Sequence, residues 1–179
     1  VSAMSMQNKS LELCLLLSLP AALGLIIASE EIVSALFGYG SFNQENVFLT
    51  AQALKYFGFG VPAFALIKVL SNFLFARDNT KVPFYISVFI VFLNILISLL
   101  YFKEVGFIII PLATSISTWI GVLIYTIILI KFKYLDIESI FFVNFVKILI
   151  SLIIMTLALY YFINFFEDKL IYSNYYKSF

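Results

Sequence analysis

Five long apolar runs, separated by charged connectors, constrain this chain more than any other feature of its sequence. An α-helix needs roughly 20 residues to cross a hydrocarbon core about 30 Å thick. Residues 13–29, 56–76, 82–102, 105–130 and 140–166 each come near or exceed that length. Backbone in lipid must satisfy its own N–H and C=O groups, so the runs read as closed helices. A β-barrel would show alternating strands of about ten residues between turns, whereas these runs are continuous and too long. The predicted fold class is all-α integral membrane, with five transmembrane helices.

Composition then narrows the function. A chain that is 63% hydrophobic and 12% charged lies outside the range of soluble domains. Eleven Lys and Arg against ten Asp and Glu leave a net charge of +1, which offers no basic surface for nucleic acid. The chain has no histidine, which excludes Ser/His/Asp and Cys/His triads and His-ligated metal within it. Cys14 is the single cysteine, and among Leu13, Leu15, Leu16 and Leu17 it reads as a packing residue rather than a nucleophile. No catalytic residue and no metal site are assigned, and classical soluble enzyme chemistry is not expected.

The first run is closed by Glu30 and Glu31 and holds Pro20 and Gly24, which predict a bend. It lacks a small-residue cleavage pattern, so it is not read as a signal peptide. The fourth run, 105–130, is about 39 Å of helix and must tilt or begin late. Between the first two spans, Ile32 to Phe37 followed by Gly38, Tyr39, Gly40, Ser41 and Phe42 reads as an interfacial helix and turn over 31–42. Helical spacing of Val47, Ala51 and Leu54 starts the second helix before its hydrocarbon portion. Short connectors elsewhere predict antiparallel packing of sequential helices. The chain lacks a starting Met and ends just after a span, and is expected to be a piece of a longer protein.

An odd number of spans puts the termini on opposite sides. The N-terminal side receives Lys9, Arg77, Lys81, Lys131 and Lys133, with Lys147 close by. The other receives Lys55, Lys103, Lys169 and Lys177 together with Glu30, Glu31, Glu45, Glu104, Glu167 and Asp168. The excess of basic residues places the N-terminus in the cytoplasm.

Lys68 is the sharpest local signal. A cation near the middle of an apolar helix costs about 2.5–3.5 kcal/mol on insertion scales unless it meets water or a partner. It is a candidate for contact with an anionic substrate in a cavity or for helix pairing; the bland alternative is snorkelling, a long reach at nine residues from Arg77. Lys147, seven residues inside the edge of its run, reads first as a snorkelling side chain and second as an inward-facing one. Asn94 and Ser98 share a helix face, and Thr114 lies in the next helix. The three form either an interhelical hydrogen-bond site or a cation site of oxygen ligands. Gly58 and Gly60 with Pro62 suit a hinge or close packing equally.

The order of residues also resembles that of the bacterial lipid II flippase family, the MurJ or MviN group of the multidrug/oligosaccharidyl-lipid/polysaccharide exporter superfamily. The matching stretches are Leu17-Ser18-Leu19-Pro20-Ala21-Ala22 with Gly24, Leu36-Phe37-Gly38-Tyr39-Gly40-Ser41-Phe42, and Ala53-Leu54-Lys55-Tyr56 with Gly60. Most specific are Lys68-Val69-Leu70 and the turn from Phe75 through Arg77, Asp78, Asn79 and Lys81 to Pro83, followed by Asn94, Gly106 and Ala113-Thr114-Ser115. The likeness is strong from Leu11 to about Lys133 and fainter beyond. Phe75 replaces the usual Tyr, Asn79 takes an acidic position with Asp78 one residue early, and Val82 stands where Thr is usual.

The resemblance implies most of the C-terminal lobe of a transporter with about fourteen helices in two lobes, these spans being the ninth to thirteenth. It implies transfer of lipid II, an undecaprenyl-pyrophosphate-linked disaccharide-peptide used in peptidoglycan synthesis, from the cytoplasmic to the outer leaflet of the inner membrane by alternating access. The family's main cationic substrate site lies in the N-terminal lobe, outside this chain. No cofactor is implied beyond dependence on membrane potential or sodium; sodium in some relatives sits where Asn94 and Thr114 stand here, with Ser98 at a position where an acid would help. Partners implied are lipid II, membrane lipids, the N-terminal lobe and a final helix. The alternatives are a lipid-linked oligosaccharide or multidrug exporter of the same superfamily, and a non-transporting membrane scaffold. Paired acids for an integral-membrane transferase are lacking.

Overall fold

The computed structural model describes the backbone of residues 3–39 and 42–177, and side chains within 4–39 and 42–165. Gly40 and Ser41 of the expected interfacial turn lie outside the described residues, as do the side chains of Phe166, Glu167, Asp168, Lys169 and Lys177. The elements are α1 (Ala3–Ile27), α2 (Ser29–Phe37), α3 (Gln44–Phe75), α4 (Lys81–Val105), a single 3-10 turn (Gly106–Ile108), α5 (Ile109–Lys131) and α6 (Ser139–Lys177). Among the described residues, four helical stretches are long and apolar enough to cross a membrane, and one of them, Lys81–Lys131, contains both α4 and α5.

Local chemistry sets the ends of these helices. Glu30 and Glu31 stand in the first turn of α2, where negative charge complements the helix dipole. Asn43 caps α3 by accepting from the Asn46 N–H at 2.9 Å, so the helix begins twelve residues before Tyr56, where its apolar run starts. Both α3 and α5 stop on a residue in the left-handed region, Asp78 and Lys133, each at φ 56°. The N–H groups of Asn79 and Tyr134 then reach back to the carbonyls of Leu74 and Leu129 at 3.1 and 2.8 Å, closing both ends in the Schellman manner. Gly106, at φ 75°, turns the chain between α4 and α5, so the fourth crossing begins late, at Ile109. Pro20 lies within α1, which runs uninterrupted to Ile27, and Ala28, with φ and ψ of −100° and 24°, separates α1 from α2.

In space the long helices form the row α6, α1, α3, α5, α4, with α2 against α3. The expectation that sequential spans pack on one another holds for α1 with α3 and for α4 with α5, and is corrected for the other two pairs. Among the described residues α3 barely touches α4, and α6 packs on α1 rather than on α5. Between α4 and α5 the pairs Asn94 with Thr114 and Pro83 with Tyr125 fix an antiparallel alignment. Between α3 and α5 the pairs Tyr56 with Ser115 and Phe59 with Trp119 fix a parallel one. The physical reason is that lipid is as apolar as leucine, so no hydrophobic force holds neighbours in sequence together; close approach at small residues and polar bonds select the partners.

Glycines supply that approach on both sides of α3. A Cβ on Gly58 would meet Ile26 Cγ1 at 2.9 Å and the Ala22 carbonyl at 3.4 Å, both on α1. One on Gly60 would meet Ser115 Oγ at 2.7 Å and Ser115 Cα at 3.3 Å, both on α5. The segment 58–60 is therefore a packing point held between two helices. Polar groups lie inside, with Ser115, Ser117 and Thr118 buried, while Leu99 is 73% and Ile154 64% exposed. Such an inverted distribution belongs to a chain surrounded by hydrocarbon or by further apolar helices.

Candidate functional site

Lys68 lies on an open stripe of α3. Phe57, Phe64, Lys68, Asn72 and Phe75 recur at helical spacing and are all exposed, while Leu66, Leu70 and Phe73 face the packed side. The Lys68 ammonium has no hydrogen-bond or ion-pair partner among the described residues; only its backbone carbonyl is engaged, by the Ser71 hydroxyl at 3.0 Å. An unpaired cation framed by aromatic side chains can attract an anionic group without first breaking a protein contact.

The turn between α3 and α4 is committed to structure. Arg77 donates through Nη1 to its own helix at the Phe73 carbonyl (2.7 Å) and through Nη2 to the Tyr134 carbonyl (3.4 Å), while its guanidinium carbon lies 4.4 Å from the Tyr134 ring centroid. A cation at a helix C-terminus and over a ring face gains on both counts. Asn79 Oδ1 accepts from the Val82 N–H at 3.2 Å and so starts α4, doing what an acid would do there. Pro83 is buried, and its carbonyl accepts from Ser87 Oγ at 2.9 Å and from the buried Tyr125 hydroxyl at 3.5 Å. Asp78 and Lys81 are exposed.

Asn8 completes the tie at this end. It is 2% exposed, donates to the Asp136 carbonyl at 2.8 Å and accepts from the Glu138 N–H at 3.4 Å, pinning the α5–α6 connector to α1 as Arg77 pins it to α3. The sequence reading missed Asn8, because a polar residue ahead of a span looks solvated. It missed Trp119 too, whose indole donates to the Phe59 carbonyl at 2.9 Å. The nearest signal was Pro62, whose missing N–H leaves the Gly58 carbonyl without its helical donor, between the Tyr56 and Phe59 carbonyls to which Ser115 and Trp119 donate.

Asn94, Ser98 and Thr114 come together at the α4–α5 interface. Asn94 Nδ2 donates to Thr114 Oγ1 at 2.8 Å, Ser98 Oγ donates to Asn94 Oδ1 at 3.3 Å, and Thr114 Oγ1 donates to the Ile110 carbonyl at 2.8 Å. The three side chains thus form a chain of hydrogen bonds across the interface. Lys147 is not brought near Lys68: it lines a groove between α1 and α6 with Lys9, Glu12 and Asn144, and Asn144 Nδ2 donates to Glu12 Oε2 at 3.1 Å.

The family model described as Lipid II flippase MurJ matches residues 2–178. A probable lipid II flippase MurJ of Rickettsia prowazekii (strain Madrid E) is 38% identical over 119 residues, covering 66% of this chain and 24% of the relative. One of Buchnera aphidicola subsp. Schizaphis graminum is 31% identical over 180 residues, covering 92% of this chain and 34% of the relative. Among solved structures, a lipid II flippase MurJ in an inward closed conformation is similar with a TM-score of 0.77 at 27% identity, over 88% of this chain and 32% of that one. The chain therefore spans a quarter to a third of the length of these proteins. With its helical membrane fold and a match that runs almost from end to end, it belongs to the lipid II flippase MurJ family.

Proposed function

We propose that this chain is most of the C-terminal lobe of a lipid II flippase, which moves the undecaprenyl-pyrophosphate-linked precursor from the cytoplasmic to the outer leaflet by alternating access. The observation that carries the reading is the match of the MurJ family over residues 2–178. In this reading the end bearing Asn8, Arg77 and Lys133 faces the cytoplasm of a bacterial inner membrane, and lobe motion draws on the membrane potential or a sodium gradient. Lys68, unpaired on the open stripe of α3, is the substrate-path residue of this lobe. It offers a positive charge to a pyrophosphate that has left its hydration shell, a role that needs no covalent chemistry.

The test replaces the corresponding segment of a complete flippase with this chain, in cells depleted of their own. Growth is expected from the parent chimera, and loss of growth at unchanged membrane abundance from Lys68→Ala. A parent chimera that inserts normally yet gives no growth would refute the flippase reading, and normal growth of Lys68→Ala would remove Lys68 from the substrate path.

A further inference from the structure

The groove between α1 and α6 has an organisation that substrate transfer does not require. Both helices start at the end of the row that carries Arg77, and they run parallel, because Asn8 meets Asp136 and Glu12 meets Asn144. Lys9 lies three residues before Glu12, and Lys147 three residues after Asn144. Each is about one helical turn, or 4.5 Å, from the Glu12–Asn144 bond and on the same face as it. The two lysines thus bracket that bond, one toward the Arg77 end and one deeper. Leu13, Leu16 and Ile148 complete the walls of a groove of about 360 Å³. Glu12 is already engaged by Asn144, and no ion pair joins it to either lysine among the described residues. A mouth with two ammonium groups above an apolar lining matches an amphiphile with an anionic head and a hydrocarbon tail.

We propose that this groove is a binding site for one anionic glycerophospholipid of the leaflet at the Arg77 end. Lys9 and Lys147 both reach the phosphate from the groove side of the Glu12–Asn144 bond, and an acyl chain lies along Leu13, Leu16 and Ile148. A basic pocket between transmembrane helices is a general solution for holding a phospholipid headgroup. The snorkelling expected of Lys147 acquires a target in this way, since its ammonium must climb toward the head region where the phosphate sits. Because α6 packs on α1 alone among the described residues, a lipid in this seam also bridges α6 to the rest of the row. The site is independent of whether the complete protein carries lipid II, since it takes a resident lipid.

The full chain in detergent micelles is offered equimolar phosphatidylglycerol and phosphatidylcholine, and retained lipids are counted by native mass spectrometry. One phosphatidylglycerol is expected to be retained in preference. Lys9→Gln and Lys147→Gln are each expected to weaken it about fivefold, and the pair about thirtyfold, at the usual contribution of a basic side chain near a lipid headgroup. Glu12→Gln removes the only carboxylate among the described residues of the groove and is expected to strengthen retention, whereas Lys133→Gln, at the same end but outside the groove, leaves it unchanged. Should Lys147→Gln fail to show parental helix content by circular dichroism, Lys147→Arg keeps the charge and is expected to keep the lipid. Equal retention of the two lipids, equal losses in Lys133→Gln and Lys147→Gln, or full competition by soluble glycerol phosphate would each overturn the proposal.

Discussion

Two glycine-to-alanine substitutions, chemically identical, are predicted to change stability in opposite directions. In an exposed helix interior, Gly→Ala gains about 1 kcal/mol from backbone entropy. At Gly24 a new Cβ meets nothing within 4 Å, so Gly24→Ala should be stabilising by up to that amount. At Gly60 the same methyl would sit 2.7 Å from Ser115 Oγ and 3.3 Å from Ser115 Cα, and the second of these atoms is backbone that moves only with α5. Overpacking of this kind costs about 1–3 kcal/mol. Separating α3 from α5 also strains the bonds from Ser115 to the Tyr56 carbonyl and from Trp119 to the Phe59 carbonyl, now 2.6 and 2.9 Å. Each such bond within a membrane contributes about 0.6 kcal/mol. With a clash of about 2 kcal/mol, about 1.2 kcal/mol of lost bonding and a propensity gain of about 1 kcal/mol, Gly60→Ala is destabilising by about 2 kcal/mol. Reversible unfolding in mixed micelles, followed by circular dichroism against denaturing detergent, measures both variants. Ser115→Ala in the Gly60→Ala background removes the nearer clash and should recover part of the loss. A Gly60→Ala protein as stable as the parent would refute the close approach of α3 and α5.

Two further outcomes follow from the ties at the Arg77 end. Arg77→Ala removes a charged hydrogen bond to Phe73, a longer one to Tyr134 and the contact with the Tyr134 ring, and should lower stability by about 2 kcal/mol. A double-mutant cycle with Tyr134→Leu should show a coupling of about 0.5–1 kcal/mol, and zero coupling would mean that the ring and the guanidinium do not interact. Asn8→Ala leaves the buried amide's partners at Asp136 and Glu138 without it and should cost about 1–3 kcal/mol, with faster hydrogen exchange confined to residues near 136–138; unchanged exchange there would contradict the tie.

Which segments are long and apolar enough to cross a bilayer was legible in the sequence because run length is compared with a fixed thickness, and a run of 26 residues declares itself whatever it packs against. Which helices touch was not. A helix that is apolar all round carries no 3.6-residue stripe to mark its buried face, and so nothing in α6 points to α1 rather than α5. The contact of Asn94 with Thr114 was readable, because polar side chains are sparse in those two helices and each needs a partner. Asn8 was not, since a carboxamide among Gln7, Lys9 and Ser10 looks like one more solvated group until the Asp136 carbonyl is brought to it from the far end of the chain. Lys68 stood out as a buried charge in the making, but its placement on the open stripe depends on α1 and α5 occupying the opposite side of α3, which only the packing reveals.

The bond between Glu12 and Asn144 joins residues 132 positions apart, and it has a consequence for biogenesis. At a synthesis rate of about 5–20 residues per second, α1 leaves the ribosome roughly 7–26 s before its partner α6. During that interval the flank of α1 is covered by lipid or by the insertion machinery, so the docking of α6 on α1 waits on translation rather than on diffusion within the membrane.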